Sequence, residues 1–367
     1  MMTAKKPKGP PLWAVDVARK ASRGMTQIQR RMAPPSAVLV EMVSGMWRPY
    51  ALGLIAELGI ADLLAGGARS VDELARETGS NAEALLRVLR PLAHDGILAS
   101  PAPRTFALTS LSQPLRSDHP KSVRQSVRQS MSDWARGCWN DLAECVRTGE
   151  PAFPRQHGGR DLWTWFHEDA QEDGEVFHDS MNEFTRLTLP LILAVHDFSA
   201  YRRVLDLGGG QGTLVGGLLA AHAQLTGGVL DLPGALAGAP DYLAGLGVAQ
   251  RCELIEGSVF GDIPGGWDAY LMKHILHGCS DAQISELLGH VREALPPGAR
   301  FIALEMLVPE DPSGTYPAFI DIQMLVGSGG RERSASEYRD LFAAHGLKLE
   351  SVARTASPVS LLVCSRA

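Results

Sequence analysis

The chain has 367 residues, 45% of them hydrophobic, enough to fill one large core or two ordinary ones. Its 35 basic and 41 acidic residues leave a net charge of −6, so no global field draws nucleic-acid phosphates and such binding would need a local basic patch. Five scattered cysteines, none in CxxC spacing, argue against a disulfide framework and a structural zinc site.

Residues 1–35 hold eight Lys/Arg against the single acid Asp16. We expect a basic, Pro-rich extension, loosely ordered or helical, with a helix from Leu12 that packs on a partner subunit. It lacks the uninterrupted apolar run of a secretory signal. The longest apolar stretch, "ALGLIAELGIADLLAGGA", is interrupted by Glu57 and Asp62 and suits a core helix rather than a membrane span, which predicts a cytoplasmic protein.

Residues 36–117 carry a helical pattern ending in a wing. Ser70 caps a short helix that stops at Gly79, and Asn81 caps a second whose buried stripe is Leu85, Leu86, Leu89 and Leu92. "GILAS" and "TFALTS" around "PAPR" form a hairpin, completing a winged-helix-like unit. A DNA-binding regulator is one reading of that unit. Its second helix, however, begins Asn-Ala-Glu among Asp72, Glu73, Glu77 and Asp95, where a base-reading helix presents basic and amide groups. Dimerisation suits it better.

Residues 118–200 are helical and rich in large side chains (Trp134, Trp139, Phe153, Trp163, Phe177, Met181), which serve a core or wall an apolar pocket. From residue 201 to the end, strand and helix alternate. "RVLDL", "TGGVLDLPG", "CELIEGSVF", "WDAYLMKH" and "RFIALEML" supply five strands, and "LKLESVAR" and "SLLVCSR" complete the edge. The pattern predicts a doubly wound, mostly parallel seven-stranded sheet, Rossmann-like, with its ligand at the C-terminal strand ends.

The first strand runs into Asp206-Leu207-Gly208-Gly209-Gly210-Gln211-Gly212, and Asp231 ends the next strand about 20 residues on, placed to bind a ribose diol. A nicotinamide dinucleotide would call for G-x-G-x-x-G. The spacing here is D-x-G-x-G-x-G, and an acid at the strand end suits a ligand carrying an ammonium and a sulfonium better than a pyrophosphate. S-adenosylmethionine has both groups. Farther along, "MKHILHGCSD" pairs His274 with His277 after a strand; no third metal ligand stands in register, and no metal is expected.

The chain resembles the plant-caffeate-type and bacterial natural-product O-methyltransferases from about Ser36 to its end. The likeness rests on "LGIADLLAGG", "RVLRPLAHDGIL", "VLDLGGGQGTL", "VLDLPG", "YLMKHILHGCSD", "ALPPGARFIALEMLVPED", "DIQML" and "GGRERSASEYRDLF". It implies a class I methyltransferase domain behind a dimerisation domain, and a homodimer that uses S-adenosylmethionine and releases S-adenosylhomocysteine. By the same resemblance His277 is the general base, flanked by Glu305 and Glu332. Asp206, Gly208, Gly210, Asp231, Leu232, Ser258, Val259, Lys273 and Thr185 bind the cofactor, and Phe177, Met181 and Met324 line the substrate pocket.

Relatives of this type usually carry Asp where this chain has Ser258, and Asp-Trp where it has Gly278-Cys279. Those changes remove a carboxylate and a stacking face from the expected adenine end. The expected activity is methylation of a hydroxyl, phenolic for preference, on an aromatic secondary metabolite such as a polyketide, without nucleic acid or membrane as partner. The alternative keeps fold and cofactor but performs decarboxylation, hydroxylation or cyclisation.

Overall fold

The computed structural model describes residues 10–310 and 316–367. Lys5, Lys6 and Lys8 of the basic extension lie outside them. Contacts gather into two compact units: Asp16–Arg136 with Glu172–Phe184, and Gly137–Gln171 with Thr185–Ala367 and residues 10–15. The helical stretch 118–200 is thus shared between the two.

In the first unit the cap signals act as their chemistry dictates. Ser70 accepts from the backbone N–H of Glu73, whose carboxylate accepts from Ser70 N at 2.8 Å, and the helix Val71–Thr78 stops at Gly79. Asn81 accepts from Ala84 N at 2.9 Å to open the helix Ala82–His94. That helix buries Leu85, Leu86, Leu89 and Leu92 against Ile55, Ile60, Leu64, Val71 and Leu74.

Strands β1 (Arg69–Ser70), β2 (Leu98–Ala102) and β3 (Thr105–Leu108) form a small antiparallel sheet in the order β1-β3-β2, one strand more than the hairpin expected. At the hairpin tip Arg104 pairs with Glu83 at 2.7 Å and Asp72 at 3.0 Å. The first turn of the second helix is therefore acidic and tied to the wing. The helix Leu12–Arg31 has no buried side chain and exposes Trp13, Val17, Met25 and Ile28. Val40, Val43 and Trp47, from the following two helices, and Met46 between them are exposed as well.

The second unit is built on β4 (Arg203–Leu207), β5 (Thr226–Asp231), β6 (Cys252–Glu256), β7 (Ala269–Lys273), β8 (Arg300–Met306), β9 (Leu347–Arg354) and β10 (Val359–Arg366). Their order is β6-β5-β4-β7-β8-β10-β9. The first five are parallel, while β10 runs antiparallel to both β8 and β9. The order reverses between β4 and β7, and a doubly wound sheet opens its ligand crevice at that point. β6 is shorter than "CELIEGSVF": after Glu256 pairs with Asp231, the chain turns through Ser258, whose hydroxyl accepts from Phe260 N at 3.2 Å. Leu205, Leu207, Tyr270, Met272, Phe301 and Ala303 join Ile284, Leu287 and Leu288 of the helix Asp281–Ala294 in one closed core. Among the described residues no helix is long and apolar enough to cross a membrane.

Candidate active site

The loop after β4 is shaped by backbone that only glycine adopts cheaply, with φ of 69° at Gly208 and 55° at Gly210. Gly208 N donates to Leu230 O at 2.8 Å and Gly210 N to Asp231 Oδ2 at 2.7 Å, so the loop is sewn to the end of β5. Asp231 Oδ1 takes Leu232 N at 2.7 Å, and Leu232 stands partly open to solvent. Each carboxylate oxygen keeps a lone pair for a further donor. Ile275 and Val259 press on Gly208, where a Cβ would come within 2.8 Å of Ile275 Cδ1. Val259 follows Ser258 in the turn after β6, so four strand ends converge here.

Asp206 is 1% exposed, and its Oδ2 has no hydrogen-bond partner among the described residues. Burial lifts its pKa to about 7, helped by Asp231 and opposed by Lys273. Burial likewise pushes the Lys273 ammonium down to about 8, against the pull of Asp206 and Glu305. A buried acid with an unsatisfied oxygen is costly unless a donor arrives. An α-ammonium is such a donor, and a ribose diol can use the lone pairs of Asp231. The residues present therefore fit S-adenosylmethionine.

On the other side of the sheet's midpoint, a turn at Leu276–Gly278 carries His277. His277 Nδ1 lies 2.6 Å from Glu332 Oε1. A carboxylate there fixes the proton on Nδ1 and leaves the Nε2 lone pair as the basic position. Glu305, fully buried at the end of β8, accepts from Leu276 N at 3.0 Å through Oε1. Its Oε2 stands 4.0 Å from His277 Nδ1 and 3.7 Å from His274 Nδ1. So Glu332 bonds the imidazole, whereas Glu305 holds the turn that carries it.

Burial lowers the His277 pKa, but Glu305 and Glu332 together outweigh it and the net shift is upward. Glu305 is raised to about 7, chiefly by burial and against His277. His274 is driven well below the ordinary imidazole range by burial, Lys273 and His277.

Three further residues, quoted within motifs but not singled out, lock this geometry. At Gly330 a Cβ would collide with the His277 carbonyl oxygen and stand 2.9 Å from Gly278 Cα, so the two segments can meet only at a glycine. Arg333, 1% exposed, reaches Asp281 at 2.7 Å, and Asp321 accepts from Glu332 N at 2.8 Å. "HGCSD" and "GGRERS" are thereby joined at 277–332, 278–330 and 281–333. The signal lay in "GGRERS": paired glycines ahead of alternating charges mark a close backbone approach.

The remaining expected residues are placed as follows. Thr185 is buried on the helix Gln171–Val195, and its carbonyl accepts from the Thr188 hydroxyl at 3.3 Å. Phe177 and Met181, four apart on that helix and half-buried, belong to the first unit. Met324 belongs to the second, near the end of the helix Tyr316–Gly327. Cys279 points into the core, its thiol donating to Ile275 O at 3.2 Å and pushed up to about 12 by burial.

The family model described as O-methyltransferase domain matches residues 139–348, and that described as O-methyltransferase dimerisation domain matches residues 40–118. Phenazine O-methyltransferase PhzM of Lysobacter antibioticus is 33% identical over 92% of this chain and 98% of its own length. The mitomycin biosynthesis 6-O-methyltransferase of Streptomyces lavendulae is 34% identical over 89% and 93%. The crystal structure of the O-methyltransferase NcsB1 from neocarzinostatin biosynthesis, with S-adenosylmethionine and 2-hydroxy-5-methyl naphthoic acid, superposes with a TM-score of 0.74 at 31% identity, covering 87% of this chain and 96% of that one.

Proposed function

The chain belongs to the O-methyltransferase family, and from that premise we propose that it methylates a phenolic hydroxyl of a fused aromatic secondary metabolite, using S-adenosylmethionine as donor and His277 as general base. The observation that carries the base assignment is the 2.6 Å contact of His277 Nδ1 with Glu332, which presents Nε2 as the proton acceptor.

A phenol, with a pKa near ~10, is mostly un-ionised at neutral pH and needs a base as the methyl transfers. Neutral His277 takes that proton on Nε2, and Glu332 stabilises the imidazolium that results. Glu305 holds Leu276 N, fixing the turn so that the ring stays aimed. When bound, S-adenosylmethionine supplies a methyl already activated by its sulfonium. Asp206 would hold the ammonium and Asp231 the ribose diol, with Gly208, Gly210, Leu232, Ser258, Val259, Lys273 and Thr185 completing the cradle. Phe177, Met181 and Met324 supply apolar surface suited to a flat acceptor. What remains for catalysis is in-line alignment of oxygen and methyl.

The acceptor class draws support from the relatives, whose names specify phenazine and mitomycin chemistry, and from the naphthoic acid named with NcsB1. A homodimer is supported by the matched dimerisation domain and by the exposed apolar side chains of the first unit. Purified protein with methyl-labelled S-adenosylmethionine and a panel of hydroxylated naphthoates, phenazines and quinones tests the proposal directly. Label transferred to a ring oxygen, and lost in His277→Ala, is the expected result. Donor binding without transfer to any acceptor would turn the assignment toward the non-methylating alternative.

A further inference from the structure

We propose that His274, His277 and Glu305 form a binding site for a divalent ion of the zinc class, and that occupancy of this site switches the base off. The sequence shows only two imidazoles three residues apart. The fold brings Glu305 to them from β8, and one ligand atom from each of the three lies within 4.8 Å of the others. Two of the separations are 3.7 and 4.0 Å, both to Glu305 Oε2. Zinc bonds to nitrogen and oxygen run at about 2.0–2.2 Å, which sets neighbouring tetrahedral ligands roughly 3.3 Å apart. Small side-chain rotations close the difference, and Glu332 Oε1, already on His277, offers a fourth position.

One observation independent of the spacing points the same way. Glu305 is fully buried, and its Oε2 has no hydrogen-bond partner among the described residues. The His274 imidazole lies beside the His277 ring, their centroids 5.1 Å apart.

The switch follows from the tautomer. As a base, His277 keeps its proton on Nδ1 and offers the Nε2 lone pair. Coordination takes the Nδ1 lone pair instead, so the Nδ1 proton moves to Nε2, where the acceptor's hydroxyl would have delivered its own. No group is oxidised or reduced: the Nδ1–H bond breaks, an Nε2–H bond forms, and the ligand atoms bond the metal. The inhibitory half rests on His277 being the base; the binding half does not.

The full-length protein, freed of metal with EDTA, is titrated with Co²⁺ followed by its visible absorption, then with Zn²⁺ in competition, and transfer is assayed with and without zinc. One Co²⁺ per chain with tetrahedral bands, displaced by Zn²⁺, is expected, with transfer falling about tenfold or more and recovering on EDTA. His274→Asn keeps a side chain tolerant of the left-handed backbone at that position, φ 55°, and should retain metal-free transfer, yet need about tenfold more zinc for the same inhibition. Absence of cobalt uptake by the unaltered protein overturns the site, whatever the variant does. Equal uptake and inhibition in His274→Asn would assign the ion to other ligands and also overturn it. A metal-free protein that transfers no methyl removes the proposed function, and the cobalt titration still decides the site.

Discussion

His277 is a histidine pulled in two directions, with burial favouring its neutral form and two carboxylates favouring the charged one. The carboxylates win, which gives its pH dependence a definite sign. Only the neutral ring accepts a proton, so kcat/KM should fall as pH drops through a value above the ordinary imidazole figure of about 6.5. Glu332→Gln removes one of the two acids, and the acid limb of the pH–rate profile should move downward while the maximal rate declines. His277→Ala should cost roughly 10²–10⁴ in kcat with donor affinity unchanged, measured by calorimetry alongside turnover. The candidate base was legible because it follows a parallel strand and matches a motif. Gly330, Asp321 and Arg333 were not, because a close backbone approach and a second-partner hydrogen bond leave no periodic trace in a sequence.

At the level of elements, two short segments far apart in the chain make one rigid piece. Gly330→Ala inserts a methyl into the His277 carbonyl, so the segments must separate. A destabilisation of about 1–3 kcal/mol is expected, together with a loss of turnover larger than any loss of donor binding. The two residues after His277 differ in their tolerance of larger side chains. A Cβ at Gly278 would meet only Ser328 Oγ, at 3.9 Å, so Gly278→Asp should fold normally by thermal melt. Cys279→Trp, by contrast, places an indole in a closed core and should lower the melting temperature markedly. The strands, the capped helices and the glycine loop were readable from alternation, cap residues and spacing. The helices Pro233–Leu236, Ala239–Gly245 and Tyr316–Gly327 were not assigned, since the first two are short and Pro-led and the third is apolar without a strong period.

Across the whole molecule, the proposed donor site stores an electrostatic cost. Asp206 has a folded-state pKa of about 7, above its unfolded value. Protonated, it costs little; its contribution to stability is full below its ordinary value of 3.8 and is lost progressively as pH rises to about 7. Ligand-free Asp206→Asn should therefore melt higher than the unaltered protein at about pH 8, the gap narrowing as pH falls toward about 4, while binding S-adenosylmethionine more weakly. The first unit invites a separate test. Val43→Glu combined with Trp47→Glu places charge on exposed apolar side chains, and sedimentation should report a shift from dimer to monomer.

The acids and glycines proposed to hold the donor lie between Asp206 and Lys273, and the pair proposed to take the proton, His277 with Glu332, is held by different bonds, those of Asp231 to Gly210 and of Glu332 to the imidazole. The division makes the two competences separable in descent. A single substitution at 277 or 332 would leave a protein that still captures the methyl donor and has forgotten how to deliver it, a short step from which an enzyme can take up different chemistry on the same bound molecule.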